Sequence, residues 1–476
     1  MKPKTFLILN GLIFLCTLPC RSQDLSIKIH LQGVSESKLT LLPLSGKKAM
    51  KPVAEQAVLK NGETALLDVS PELLPGEFVL RFDYKEKEGS SPYPSEKQII
   101  LNKQNLELFV NPPYCNNSDS TWFQKGEEEN TEYARFNLEN AKKKMQLGLL
   151  HNLLMGWVDN PSEFFLHATD EYEKRRSLYN QWILAQAKLH NHLFISHLFR
   201  FQFLPKISFN GSEEDKTQSI LNHYFDGIDF GDSLLIRTAN LKDWMNNYVN
   251  LYGSKAKTDL MRDSLLAMAG QTAIEKCKGG NQKIYGWMVD YFYAGYESFG
   301  IKKGMMMLQP YLDDPNCLTS KRQQIVRRLE SMNKLVAGSP APDFSLENSD
   351  GSLFSFRSYK GITKLKLLLF WSADCEHCRN LVSQLNQWYQ QSGNSDKLDI
   401  IAVSVDDTET EIPVWEKAVK DLPGWRHLRA TGGVNSDAAN KYAILSTPAM
   451  FLVDSRSNSL IAIPESFETL VQAVDK

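Results

Sequence analysis

The chain has 476 residues, a formal net charge of -2 and a 23% share of charged residues. This length exceeds what one hydrophobic core normally supports, so it predicts several domains. The near-neutral balance lacks the excess of cationic side chains that nucleic-acid binding requires, and we expect no nucleic-acid partner.

Residues 1–22 are typical of a secretory signal peptide. Lys2 and Lys4 precede an apolar run at 6–18 that is short for a membrane span. Ser22 is a small residue suited to the cleavage site. We therefore expect an exported protein of the periplasm or cell envelope, with no transmembrane span in the mature chain.

Residues 23–113 alternate apolar and polar side chains, which is the pattern of half-buried strands. The clearest example is the stretch "LSIKIHLQG". Asn61 and Gly62 form a hairpin signal between two later strands, and Pro112–Pro113 ends the pattern. The sequence predicts an N-terminal antiparallel β-sandwich-like domain.

Residues 114–335 carry apolar side chains at helical spacing and predict a central all-α region. Pro161 lies at the start of one long helix, where Ser162 and Glu163 suit the N-terminus. Later helices are expected at 240–250, 256–275, 284–299 and 320–335. The histidines at 190, 192 and 197 do not share one helix face, so we expect packing there rather than a metal site.

Residues 336–476 alternate strands and helices, and they predict a third, α/β domain. The run "LKLLLFW" is almost continuously apolar, as in a strand covered on both faces. A helix follows it, and "LDIIAVSV" is the next buried strand. "AMFLVD" and "SLIAI" then form a strand pair. This order predicts a parallel sheet that antiparallel strands complete.

Cys375 and Cys378 open the helix that follows the first buried strand. The N-terminus of a helix favours the thiolate of Cys375, and Cys378 lies one turn further on. No second pair of ligands has the spacing of a structural zinc site, so we expect no metal and no cofactor. A disulfide across so small a ring constrains little chain, so stapling alone explains the pair poorly. A Cys-x-x-Cys pair in this context favours redox chemistry, with Cys375 as nucleophile and Cys378 as resolving thiol.

Two side chains between the cysteines could tune them. A charged His377 would stabilise the thiolate, whereas Glu376 would oppose it. The net effect of this dipeptide does not follow from the sequence.

The C-terminal region resembles the thioredoxin superfamily and, within it, the exported TlpA/ResA-type thiol-disulfide oxidoreductases. The motifs that carry the resemblance are "GSPAPDFSL", "FWSADCEHC" and "STPAMFLVD". The resemblance implies that Trp371 flanks the redox pair and tunes it, that Pro448 is the cis-proline opposite it, and that Thr447 pairs with the substrate chain. Leu369 and Leu381 stand where relatives carry acids, which leaves the proton acceptor of Cys378 open.

The rest of the chain resembles multidomain envelope thioredoxins of Bacteroidetes-type bacteria. The expected fold class is therefore a multidomain chain with a β-sandwich-like domain, an all-α region and a thioredoxin fold. The expected partners are cysteine-containing protein substrates and an upstream redox partner.

Three functions follow from these patterns. The first is a thiol-disulfide oxidoreductase, with a reductive direction and a role in cytochrome c maturation or envelope redox homeostasis implied by the resemblance. The second is a peroxiredoxin-like peroxidase, because Ser372 stands three residues before Cys375. The third is an envelope binding or scaffold protein in which the redox domain only senses or tethers.

Overall fold

The computed structural model describes residues 25–157, 162–348 and 351–476. The predicted signal peptide at residues 1–22 and Pro161 at the predicted helix start lie outside them. The chain divides into two compact units. One comprises the described residues up to Ile228 together with Leu234–Trp244, and the other comprises Asp229–Ser233 and Met245–Lys476. The central helices are thus shared between the units, and a separate helical domain at 114–335 stays a prediction.

Two four-stranded sheets form the β part of the first unit, in the orders β4-β1-β7-β8 and β3-β2-β5-β6. The strands are β1 Leu25–Leu31, β2 Glu36–Pro43, β3 Ala54–Lys60, β4 Thr64–Val69, β5 Gly76–Lys85, β6 Tyr93–Leu101, β7 Leu106–Val110 and β8 Trp122–Phe123. All neighbours are antiparallel except β1 and β7, which are parallel. The first of these sheets extends beyond Pro112–Pro113, where the strand pattern was expected to end, because β8 pairs with β7.

The alternation of apolar residues builds the core of this part. In β1, Ile27 and Ile29 are buried while Lys28 between them is exposed. These side chains pack in one cluster with Leu41 and Leu80 of the other sheet. The two sheets therefore enclose a common core, which confirms the predicted sandwich-like arrangement.

Ten helices follow in the described residues. They are α1 Glu129–Gly156, α2 Glu163–Leu189, α3 Ile195–Phe199, α4 Glu213–Asn222, α5 Asn240–Gly253, α6 Asp259–Lys278, α7 Gln282–Phe299, α8 Lys302–Met307, α9 Gln309–Leu312 and α10 Arg322–Lys334. The Ser162 side chain accepts a hydrogen bond from the Phe165 amide and caps α2 as predicted. Within the described part of the chain, no helix combines the length and apolar character needed to cross a bilayer.

A five-stranded sheet organises the C-terminal part of the second unit, in the order β13-β12-β11-β14-β15. The elements from here on are β9 Ser345–Glu347, β10 Leu353–Ser355, β11 Leu365–Trp371, α11 Glu376–Tyr389, β12 Leu398–Ser404, α12 Glu411–Ala418, β13 Arg426–Arg429, α13 Asp437–Lys441, β14 Ala449–Asp454, β15 Leu460–Ala462 and α14 Phe467–Val474. Strands β11, β12 and β13 are parallel, and β14 and β15 join antiparallel. The predicted sheet is therefore confirmed.

Strand β11 lies at the centre of this sheet and is covered on both faces. Leu367 and Leu369 pack into the core on one face, whereas Leu368 and Phe370 pack into the core on the other. This double burial explains why its sequence is apolar at almost every position. The edge strand β13 was not expected, because "RHLR" buries only Leu428 and carries no strand pattern.

Candidate functional site

The cysteine pair predicted to be redox-active lies where β11 ends and α11 begins. Cys375 is the N-cap residue of α11, with φ -85° and ψ 122°, and Cys378 occupies the first helical turn. Cys375 is half-exposed, whereas Cys378 is fully buried in the core beside Trp371. One thiol of the pair is therefore accessible to solvent, and the other is sheltered.

The surroundings of Cys378 keep it protonated. Burial raises the pKa of the Cys378 thiol to about 12, and its hydrogen bond with Cys375 acts in the same direction. Hydrogen bonds from Thr447 and from the Ser372 amide oppose this rise in pKa. The Ser372 nitrogen lies 3.5 Å from Cys378 Sγ. These donors would stabilise Cys378 at the moment it becomes a thiolate.

Thr447 and Pro448 lie opposite the pair, at the start of β14. The peptide bond between them is cis. Cys375 Sγ lies 3.7 Å from the Thr447 carbonyl oxygen. The pairing of Phe370 with Ala449 holds the two segments side by side. Both predicted substrate-binding residues thus adjoin the exposed cysteine, and their contact with a substrate chain stays a prediction.

The three predicted tuning residues differ in their surroundings. Glu376 and His377 are exposed, so solvent screens their charges. Trp371 is buried, and its indole nitrogen has no hydrogen-bond acceptor among the described residues. Trp371 contacts the same core cluster as Cys378, and a tuning role for any of the three stays a prediction.

The turn between β11 and α11 is held from two sides by residues that the sequence analysis did not select. Asp406 accepts hydrogen bonds from the Ser372 hydroxyl at 2.5 Å and from the Ala373 amide at 2.9 Å. Arg379 donates to the carbonyl oxygens of Ala373 and Asp374 at 3.2 and 3.1 Å. The one signal for Asp406 in the sequence is an acidic pair directly after a buried strand, "VSVDD".

Leu369 and Leu381 are both buried in the apolar core, so neither position supplies a carboxylate. Asp406 is the buried carboxylate that contacts the redox turn instead. Among the described residues, no three His, Cys, Asp or Glu side chains are grouped as metal ligands would be.

Residues 337–458 match the model of the AhpC/TSA family. This match spans the five-stranded sheet up to β14, the cysteine pair and the cis-proline segment. The C-terminal domain is thioredoxin-like. No curated protein matches the chain.

Several of the solved structures similar to the chain come from Bacteroides species. A thioredoxin-like protein from Bacteroides caccae is 15% identical, with 57% of this chain and 97% of that chain covered and a TM-score of 0.33. The thioredoxin domain of a thiol-disulfide oxidoreductase from Bacteroides vulgatus is 27% identical, with 30% of this chain and 96% of that chain covered and a TM-score of 0.26. A thiol-disulfide oxidoreductase from Bacteroides fragilis is 27% identical, with 29% of this chain and 98% of that chain covered and a TM-score of 0.24. The last two align with a share of this chain about the size of its thioredoxin-like domain.

Proposed function

We propose that this chain is a thiol-disulfide oxidoreductase that exchanges disulfides with cysteine-containing proteins through Cys375 and Cys378. One observation supports this most directly. The half-exposed Cys375 occupies the N-cap position of a helix beside a cis-proline segment, and the buried Cys378 is hydrogen-bonded to it. This arrangement suits attack by one thiol and resolution by the other.

The reaction proceeds in two exchanges. The Cys375 thiolate attacks one sulfur of a substrate disulfide, a mixed disulfide forms, and the second substrate sulfur leaves and takes up a proton. Cys378 then loses its proton and attacks Cys375 Sγ, which releases the substrate as a dithiol. Two electrons pass to the substrate, and the pair is left as a disulfide. An upstream dithiol protein reduces it again.

We propose the reductive direction in the cell envelope. The high pKa of Cys378 supports it, because a pair whose thiolates are poorly stabilised is the stronger reductant. The envelope location and a role in cytochrome c maturation or redox homeostasis rest on the resemblance of the motifs. A measured reduction potential near -120 mV, at the oxidant end of the known range, would contradict the direction.

Reduction of insulin by the full chain tests the activity. The insulin-reducing activity of the variant Cys375→Ser should fall to background. The variant Cys378→Ser should accumulate a mixed disulfide with the substrate that a reducing gel resolves. Cys115→Ala is the matched control, because this buried thiol lies in the other unit. Full activity in the Cys375→Ser variant would sink the proposal.

The peroxidase alternative places Ser372 next to a peroxidatic Cys375. The structure directs the one hydroxyl proton of Ser372 to Asp406, which weakens that role. We therefore expect negligible consumption of hydrogen peroxide by the reduced chain. The scaffold alternative gains support if the double variant Cys375→Ser/Cys378→Ser keeps full cellular function.

A further inference from the structure

Asp406 is a buried carboxylate directly behind the redox turn. It follows β12 and is 1% exposed. Besides its two hydrogen bonds from the turn, it accepts a hydrogen bond from the Ser404 hydroxyl at 2.7 Å. All three donors are neutral. Its neighbour Asp407, in contrast, pairs with Arg429 at 2.6 Å. The negative charge of Asp406 is thus stabilised by neutral hydrogen-bond donors.

The residues that Asp406 holds contact both cysteines through their backbone. The Ser372 amide points to Cys378 Sγ, and the Ser372 carbonyl accepts the Cys375 amide at 3.3 Å. Arg379 holds the same turn from the other side. A change at Asp406 therefore reaches the sulfur atoms through one intervening residue.

We propose that Asp406 is a positioning residue whose buried negative charge lowers the reduction potential of the cysteine pair. The inference rests on the proposed function, since it concerns the same pair. A nearby anion inside the protein disfavours thiolates, and thiolates occur only in the reduced pair. Asp406 therefore destabilises the reduced form relative to the disulfide, which makes the pair a stronger electron donor.

Other charges face the pair less directly. Asp374 in the turn and Glu376 and His377 on α11 are exposed to solvent. Arg379 is also exposed, but it places a cation at the turn and acts against Asp406. After β12, Asp407 is neutralised by Arg429 of β13. From the cis-proline side, Ser446, Thr447 and Pro448 bring no charge. Asp406 is thus the buried anion of this set.

The variant Asp406→Asn removes the charge and keeps the shape. In the reduced full chain, the pH profile of Cys375 alkylation by iodoacetamide should move to lower pH, with roughly tenfold more thiolate at a given pH below the midpoint. In a glutathione redox titration of the same variant, the equilibrium constant should move about tenfold, or ~30 mV, toward the oxidising side.

Asp407→Asn is the matched control, with the same chemical change one residue along, and both its profiles should follow the wild type. An unchanged or alkaline-shifted profile in Asp406→Asn would overturn the inference. If that variant does not fold, Ser372→Ala decides the question. It removes a donor that offsets the charge, so its profile should move to higher pH, and no shift or an acid shift counts against the inference.

The two proposals fail separately. A wild-type chain that forms no reversible disulfide between Cys375 and Cys378 would end the proposed function. The alkylation profiles of the two Asp variants would still report whether the charge of Asp406 acts on Cys375.

Discussion

At the scale of single residues, the two cysteines differ in how accessible they are to solvent. Cys375 occupies the N-cap position of α11 and is half-exposed, whereas Cys378 is 0% exposed among apolar side chains. Burial raises the pKa of Cys378 because it disfavours the charged form. The proposed order of attack is consistent with where the chain places each thiol.

This difference predicts selective labelling. In the reduced chain at pH 8, iodoacetamide should modify Cys375 and leave Cys378 unmodified, as read by peptide mass spectrometry. Labelling of Cys378 should rise only as the pH nears its pKa of about 12. In urea both thiols should react, since an unfolded cysteine has a pKa of about 8.5. Equal rates for the two thiols in the folded chain would contradict this.

The raised pKa of Cys378 in the folded chain also affects stability. The pKa of Cys378 is higher in the folded than in the unfolded chain, so the folded state holds this proton more tightly. Its contribution is complete below the unfolded pKa of about 8.5 and is lost as the pH rises toward the folded value. Cys378→Ala should therefore show a weaker decline in the urea midpoint between pH 8 and pH 10 than the reduced wild type. Parallel declines would show that the proton of Cys378 does not contribute.

At the scale of elements, the end of α7 adjoins the cis-proline segment. Gly300 ends the helix with φ +68°, the left-handed conformation that glycine adopts freely. A Cβ at this position would lie 2.6 Å from Ser446 Oγ. Ser446 directly precedes Thr447, whose carbonyl faces Cys375. The glycine thus ends the helix and leaves room for a segment of the redox site.

We predict that Gly300→Ala lowers both stability and activity. The positive φ should cost about 1 kcal/mol in the free energy of unfolding. The close contact should also displace Ser446 and Thr447 and slow insulin reduction. Gly393→Ala is the matched control, with φ +87° and nothing within 4 Å of the added Cβ. It should lose similar stability and keep full activity.

A second change tests the cause. Adding Ser446→Gly to Gly300→Ala removes the atoms in the way, so activity should return while the backbone cost remains. Full activity in Gly300→Ala alone would show that the contact does not matter.

At the scale of the whole molecule, the thioredoxin-like domain shares its compact unit with α6 to α10. A groove of about 940 Å³ lies within this unit, lined by residues of α7 and α10 and by Asn435 and Asn440. Glu297 of α7 binds Arg328 of α10 at 2.8 Å, which ties the two helices together. The helices and the redox domain therefore form one packed body.

This packing predicts that the domain is more stable with its helices than without them. Fragment 254–476 should unfold at a higher urea concentration than fragment 336–476, because the shorter one exposes the surfaces that α7 and α10 cover. Fluorescence of the buried Trp371 and Trp425 reports the transition. Equal midpoints would show that the helices add nothing to the domain.

Local pattern alone determined much of the redox site. The run of apolar residues in β11 is a short-range feature, and within a helix a Cys-x-x-Cys spacing spans about one turn. The sequence therefore placed Cys375 at the helix start and Cys378 inside it. It also placed Pro448 ahead of a strand, because a motif of adjacent residues carries that position.

Tertiary structure alone decided what surrounds the pair. Asp406 is distant from Ser372 along the chain, and it lies beside it because β11 and β12 pair in parallel with Trp371 opposite Ser404. The approach of Gly300 to Ser446 likewise depends on how whole helices pack. Neither contact leaves a periodic signal, since strand register and helix packing sum many weak interactions between distant residues. The pattern of adjacent residues predicted the pair, and the packing of distant residues set its electrostatic environment.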